Sequence, residues 1–144
     1  MTSTTPILLV EDDDVDVENV TRAFEENRLT NPLVIARHGE HALQLLSKHP
    51  SCEEGSSATR PGLILLDINM PIMNGIEFLT TLKENPSLCT IPVVVLTTSQ
   101  EESDRKESFC HSVAGYFLKP VEYEDFVRVI GVIVSYWTLS ESAP

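Results

Sequence analysis

The stretch that decides the fold is residues 63–75, LILLDINMPIMNG, in which four consecutive large apolar residues lead directly to Asp67. A short continuous apolar run is typical of a strand that is buried on both faces, as strands are in a parallel sheet. Asp67 then stands at the carboxyl end of such a strand, where open α/β sheets bind ligands. An aspartate before a loop can also be a helix cap or a turn residue, so its role depends on the rest of the chain.

The rest of the chain repeats this alternation of short apolar runs and amphipathic segments. The predicted strands are residues 7–10, 32–36, 64–67, 93–96 and 116–118, and the predicted helices are residues 14–27, 40–47, 75–85, 99–111 and 123–137. Five such repeats predict an α/β fold, a parallel sheet with helices on both faces. At this length we expect the flavodoxin-like strand order 2-1-3-4-5. Residues 48–62 lack periodicity and are predicted to form a long loop.

Length and composition indicate one soluble globular domain. The chain has 144 residues, of which 42% are hydrophobic and 22% are charged. We expect a single domain over residues 1–144, with its core at about 7–138 and no output domain after it. No apolar run approaches the roughly 20 residues that span a bilayer, and the N-terminus has no signal-peptide pattern. We therefore expect a cytoplasmic protein that does not bind membranes.

Charge and cysteine content exclude two further classes of function. The formal net charge is −12, and the 10 lysines and arginines are scattered. Direct binding of nucleic acid would need a basic patch, so we expect a protein partner or a small cation instead. The three cysteines, Cys52, Cys89 and Cys110, are odd in number and have no C-x-x-C spacing, which favours reduced thiols over a disulfide framework or a zinc site.

Polar residues follow four of the predicted strands. Glu11 and Asp12 follow strand 1, Asp67 ends strand 3, Thr97 follows strand 4 and Lys119 follows strand 5. The predicted strand order brings these ends to one edge of the sheet. Two carboxylates about 5 Å apart repel by roughly 3 kcal/mol at an effective dielectric of about 20, and oxygen ligands favour Mg²⁺. Because a lysine and a hydroxyl also suit phosphate, the set is suited to accept a phosphoryl group on Asp67.

Four blocks at these strand ends resemble the receiver domain of two-component response regulators. They are residues 8–13 (LLVEDD), 65–75 (LLDINMPIMNG), 92–99 (PVVVLTTS) and 115–121 (GYFLKPV). The resemblance implies a response regulator rather than an enzyme. Such a protein accepts a phosphoryl group from a sensor histidine kinase in a Mg²⁺-dependent reaction, and its own fold supports the transfer and the later dephosphorylation. It then signals through a conformational change that alters binding between proteins.

The resemblance also implies which residues hold the metal and the phosphoryl group. Asp67 is the implied phosphoacceptor, and Asp12 the direct ligand of Mg²⁺, with Mn²⁺ as an alternative ion. Glu11 would act through water, and Asn69 would offer its backbone carbonyl. Thr97 and Lys119 are the remaining implied residues of the site, and they would bind phosphoryl oxygens.

Three further expectations come from the same resemblance. Tyr116 would be an aromatic switch that turns inward when Thr97 moves toward phosphate. The peptide bond between Lys119 and Pro120 would be cis. Thr98 stands where the family more often has alanine or glycine, so access to the phosphoacceptor would be narrower.

Two alternatives from other functional classes remain open. A phosphatase of the haloacid-dehalogenase type also uses a strand-end aspartate and Mg²⁺, but it needs a second aspartate two residues later as a general acid. This chain has Asn69 there, which cannot exchange a proton. A receiver-like scaffold that is never phosphorylated would be favoured by a broken acidic set, and Glu11, Asp12 and Asp67 are all present.

The last predicted helix is apolar on more than one side. The residues predicted to face the core are Phe126, Ile130, Ile133 and Trp137, whereas those left for a second partner are Val127, Val129, Val132, Val134 and Tyr136. Such a helix favours a second contact surface, and we expect a homodimer through the fifth helix and fifth strand. The long loop before strand 3, Val121 and the Tyr136–Trp137 pair also resemble stand-alone receivers that partner phytochromes, which would make the kinase a phytochrome.

Overall fold

The computed structural model describes residues 1–47, 60–70 and 73–143. Most of the predicted loop over residues 48–62, together with Pro71 and Ile72, therefore lies outside the described residues. The elements are β1 (Ile7–Val10), α1 (Asp14–Glu26), β2 (Leu33–Ala36), α2 (Gly39–Ser47), β3 (Leu63–Leu66), α3 (Gly75–Glu84), β4 (Val93–Thr97), α4 (Glu102–Cys110), β5 (Gly115–Leu118) and α5 (Tyr123–Leu139). Their type and order are as predicted.

The five strands form one parallel sheet in the order β2-β1-β3-β4-β5, which confirms the predicted flavodoxin-like topology. In the β1–β3 pair, Val10 lies opposite Leu66, so Glu11 and Asp67 leave the sheet side by side. The backbone N–H of Asp67 donates to the carbonyl of Val10 at 3.0 Å. The sheet register therefore places these two side chains together.

Both faces of the sheet are covered by helices, which explains the continuous apolar strands. Ile7 and Leu9 of β1 pack with α1 and α5, whereas Leu8 and Val10 pack with α2 and α3. Every residue of β1, β3 and β4 is buried. Since successive side chains of a strand point to opposite faces, a strand covered on both sides needs apolar residues throughout.

α4 begins three residues later than expected, whereas α1 begins at Asp14 as expected. α4 starts at Glu102, and no side chain caps its first turn. Ser99, the first residue of the predicted helix, lies in the preceding loop, where its hydroxyl donates to Asp104 Oδ2 at 2.7 Å and accepts the N–H of Glu101 at 3.3 Å. In α1 the cap is Asp13. The difference arises because Ser99 bonds to a side chain of α4 rather than to the first-turn backbone.

α5 packs with a slightly different face from the predicted one. Phe126, Ile130 and Ile133 are buried as expected, but Val134 is buried too and Trp137 is only half-buried. A helix of 17 residues is about 25 Å long, whereas strands of four or five residues span about 15 Å. The last turn therefore extends past the sheet. No helix within the described ranges is long and apolar enough to cross a bilayer.

The peptide bond between Lys119 and Pro120 is trans, since the described residues contain no cis peptide bond. The prediction of a cis bond was therefore wrong. The trans isomer is the ordinary preference before proline, by about 0.5–1 kcal/mol.

Candidate functional site

Three carboxylates meet where β1 and β3 end. Glu11, Asp12 and Asp67 each offer an oxygen, and these atoms all lie within 4.8 Å of one another. Glu11 and Asp67 are buried, whereas Asp12 is exposed. An all-oxygen set that is open to solvent on one side fits a hard divalent cation that keeps some of its water, as Mg²⁺ does. The predicted acidic residues are thus brought together as one candidate metal site.

The ammonium of Lys119 lies against this cluster. Its Nζ donates to Glu11 Oε2 at 2.6 Å and to Asp16 Oδ2 at 2.8 Å, and it lies 3.7 Å from Asp67 Oδ2. The lysine side chain is only 7% exposed. One buried cation therefore contacts three carboxylates, two from strand ends and one from the first turn of α1.

Burial and charge change the acid–base properties of this cluster. Burial, together with the negative charge of Asp67, raises the pKa of Glu11 to about 8. Burial lowers the pKa of Lys119, but its hydrogen bonds to Asp16 and Glu11 and the nearby negative charges outweigh burial, so the pKa is raised above its ordinary value. The lysine stays charged at neutral pH, and a cation bound at the cluster would favour the ionised form of Glu11 and lower its pKa again.

A chain of hydrogen bonds leads from Thr97 to Tyr116. Thr97 is fully buried at the end of β4, and its hydroxyl accepts the N–H of Ser99 at 3.2 Å. The carbonyl of Ser99 in turn accepts the Tyr116 hydroxyl at 3.2 Å. Burial raises the pKa of Tyr116, which favours the phenol form that can donate. The predicted switch residues are thus connected through the backbone of Ser99.

The turn after β3 keeps the backbone close to Asp67. The N–H of Asn69 donates to Asp67 Oδ1 at 3.4 Å, and the N–H of Gly75 donates to the carbonyl of Ile68 at 2.9 Å. A Cβ on Gly75 would lie 2.6 Å from the Cα of Ile68 and 2.7 Å from the backbone carbonyl oxygen of Asp67. Only glycine fits this approach. The carbonyl of Asn69 as a metal ligand stays a prediction.

Asp16 is the site residue that sequence reasoning missed. The sequence assigned it no role in the site, but its carboxylate accepts a hydrogen bond from Lys119, 103 residues away. The available signal was that α1 begins within four residues of the end of β1, at Asp14. Its first turn must therefore lie over the same edge of the sheet as Glu11 and Asp12.

Comparisons with known proteins agree with this geometry. The sequence model of the response regulator receiver domain matches residues 7–131. The response regulator Rcp1 of Synechocystis sp. (strain ATCC 27184 / PCC 6803 / Kazusa) is 37% identical over 138 residues, which cover 96% of this chain and 92% of that protein. A probable methanogenesis regulatory protein, FilR2 of Methanothrix harundinacea, is 37% identical over 131 residues, covering 91% and 82% of the two chains.

Two solved structures are similar over nearly the whole chain. The phosphorylated cyanobacterial phytochrome response regulator RcpA superposes with a TM-score of 0.85 at 33% identity, covering 98% of this chain and 99% of that one. The Mn²⁺-bound form of Rcp1 superposes with a TM-score of 0.82 at 36% identity, covering 97% and 99%. The similarity thus extends to one structure that carries a phosphoryl group and one that carries a divalent metal.

Proposed function

This chain belongs to the response regulator receiver family, and we propose that Asp67 is the residue on which it is phosphorylated. Receivers are signalling proteins of two-component systems, in which an aspartate accepts the phosphoryl group. The observation that carries the assignment is the placement of Asp67 in a carboxylate cluster with Lys119 3.7 Å away. Among the aspartates of the described residues, only Asp67 combines burial with a place in the metal-ligand set and a nearby lysine.

Each residue of the cluster has a defined part in the transfer. The Asp67 carboxylate attacks the phosphorus of a phosphohistidine, so that an O–P bond forms, the N–P bond breaks and the imidazole leaves. Lys119 and the Thr97 hydroxyl donate hydrogen bonds to phosphoryl oxygens. Asp12 and Asp67, with the Asn69 carbonyl and with Glu11 through water, would hold Mg²⁺ or Mn²⁺, which would supply positive charge beside the phosphoryl group.

The same residues support dephosphorylation of Asp67, which ends the signal. Water attacks the phosphorus of the acyl phosphate, inorganic phosphate leaves, and the Asp67 carboxylate is restored. Asn69 and Ser99 flank the site and influence the approach of that water. This self-catalysed hydrolysis distinguishes the proposal from a phosphatase, because Asn69 cannot serve as the general acid that a phosphatase would need two residues after its nucleophile.

The signal leaves the site through Thr97 and Tyr116. A phosphoryl oxygen that accepts the Thr97 hydroxyl draws its Oγ toward Asp67. The Thr97 hydroxyl oxygen also accepts the N–H of Ser99. The carbonyl of Ser99 in turn accepts the Tyr116 hydroxyl. A shift of Thr97 therefore weakens the bond that keeps Tyr116 in place and lets the ring change rotamer. The surface formed by α4 and β5 would change with it.

The partners follow from the family and from the exposed surface. The phytochrome response regulators among the relatives support a sensor histidine kinase as phosphoryl donor, and we propose a phytochrome kinase acting with this chain in the cytoplasm. Four apolar side chains on β5 and α5 are at least half exposed: Leu118 at 50%, Val132 at 62%, Tyr136 at 61% and Leu139 at 86%. They support a homodimer through these two elements.

Phosphorylation with a small donor tests the central proposal. The protein is incubated with acetyl phosphate and Mg²⁺, and the added phosphoryl group is measured by intact mass. A long-lived acyl phosphate that is absent from Asp67→Asn is expected. Asp14→Asn, the same chemical change at an exposed position of α1, should be labelled like the wild type. Rapid phosphate release without a labelled intermediate would instead indicate a phosphatase, and no reaction would indicate a scaffold.

A further inference from the structure

The contacts of Lys119 exceed what the phosphorylation site requires. Two of its three carboxylate neighbours, Glu11 and Asp67, belong to the candidate metal cluster. The third is Asp16, which is outside that cluster but accepts a hydrogen bond of 2.8 Å from the lysine. Of the three carboxylates around the Lys119 ammonium, Asp16 is therefore the one that takes part neither in metal binding nor in phosphorylation.

Asp16 is held firmly in this position by the start of α1. The carboxylate of Asp13 caps the helix by accepting the N–H groups of Val15 at 2.8 Å and Asp16 at 3.4 Å. The side chain of Asp16 is 27% exposed, so its bond to the buried ammonium is only partly screened by solvent. A carboxylate on a capped helix terminus is a rigid anchor for a long, rotatable lysine side chain.

Counting the donors of Lys119 shows what the anchor does. An ammonium has three N–H groups. Glu11 takes one and Asp16 takes another, and Asp67 lies at 3.7 Å, beyond hydrogen-bond distance. Among the residues that the structure describes, the third N–H has no hydrogen-bond partner, so it can donate to an incoming group at Asp67. When Glu11 turns to a metal ion, Asp16 is the carboxylate that stays with the lysine.

We propose that Asp16 is a positioning residue, which holds the Lys119 ammonium near Asp67 without letting it cover the attacking oxygen. The inference rests on the function proposed above. Without Asp16, the ammonium would be attracted only to Glu11 and Asp67, the two carboxylates that the metal and the phosphoryl donor need. It would then compete with the metal and form a closer ion pair with the nucleophile.

The test compares the rates of acyl-phosphate formation from acetyl phosphate at saturating Mg²⁺ in three variants. Asp16→Ala should react about tenfold more slowly, which corresponds to about 1.4 kcal/mol, because the ammonium loses a charge-assisted hydrogen bond that fixes its position. Asp16→Glu, which restores the charge, should recover most of the rate. Asp14→Ala is the control, because it removes the same charge from the same turn of α1. The Asp14 carboxylate pairs with Arg37 rather than with Lys119.

The outcomes separate this inference from the function on which it rests. If the wild type is not labelled at all, both fail. If the wild type is labelled and Asp16→Ala reacts equally fast, only the inference is overturned. Thermal unfolding of each variant completes the comparison. The inference would also be overturned if Asp16→Ala reacted slowly, Asp16→Glu did not recover the rate, and both variants had lost thermal stability in proportion. Asp16 would then be a structural residue only.

Discussion

Glu11 shows how strongly its surroundings alter one side chain. It is 2% exposed, and burial next to Asp67 raises its pKa to about 8. The Lys119 ammonium, 2.6 Å from Glu11 Oε2, compensates part of the negative charge of Glu11. The same ammonium also donates to Asp16. A cation that binds beside Glu11 would favour the ionised carboxylate and lower this pKa, which couples metal binding to pH.

The stability of the metal-free protein should reflect this shift. At pH values between the ordinary pKa of 4.5 and the folded pKa of about 8, Glu11 of the folded protein keeps a proton that the unfolded chain has lost. Its contribution to stability is complete below the unfolded pKa and is lost as the pH rises through the folded pKa. Urea unfolding from pH 5 to pH 9 should show the wild type losing more free energy of unfolding than Glu11→Gln. Parallel curves for the two proteins would contradict the shift, and Mg²⁺ at pH 8 should reduce the loss.

Tyr116 allows a second test at the level of one residue. Tyr116→Phe removes the hydroxyl that donates to the Ser99 carbonyl, and we expect a loss of about 1 kcal/mol in the free energy of unfolding. Labelling of Asp67 should persist, because within the described residues the tyrosine hydroxyl bonds to the Ser99 carbonyl and not to the carboxylate cluster. Tyr136→Phe, at an exposed position of α5, is the control and should be neutral. Equal stabilities of the two variants would argue against the Thr97–Ser99–Tyr116 connection.

At the scale of the elements, one glycine sets the contact between α1 and α5. A Cβ at Gly131 would lie 2.5 Å from Asn27 Oδ1. The same amide donates to the carbonyl of Ala23 at 2.9 Å in α1 and to that of Val127 at 2.8 Å in α5. The amide thus joins the two helices, and the absence of a side chain on α5 makes room for it.

Gly131→Ala should therefore destabilise the protein by about 1–3 kcal/mol, the usual cost of overpacking, although alanine is the better helix former by about 1 kcal/mol. Urea unfolding measures the change. In an Asn27→Ala background the obstructing amide is gone, so the same glycine substitution should cost nothing or stabilise the helix. Equal costs in both backgrounds would show that the amide does not set the helix contact.

At the scale of the whole molecule, the proposed homodimer explains the apolar surface that the fold leaves uncovered. Light scattering at tens of micromolar should show a dimer for the wild type. Val132→Glu, on α5, should give a monomer, because a charge in an apolar contact surface is costly. Val15→Glu changes a valine of similar exposure, 63% against 62%, but it lies on α1 and should stay dimeric. A monomeric wild type would remove the dimer from the proposal.

The sequence by itself determined the topology and the location of the site. Continuous apolar runs such as residues 63–66 predict strands covered on both faces, and parallel strands bring their carboxyl ends to one edge. Glu11, Asp12, Asp67 and Lys119 could therefore be placed together from their positions after those runs. This inference works because it needs only the strand order, and no distance between side chains.

Only the tertiary structure decided what depends on contacts between distant segments. Asp16 pairs with a lysine 103 residues away, and nothing local distinguishes it from Asp14, which pairs with Arg37 at the surface. Val134 joins the core while Trp137 does not, because α5 is longer than the sheet it covers. Local pattern sets which face of an element is apolar, whereas the lengths and packing of neighbouring elements set which side chains actually meet.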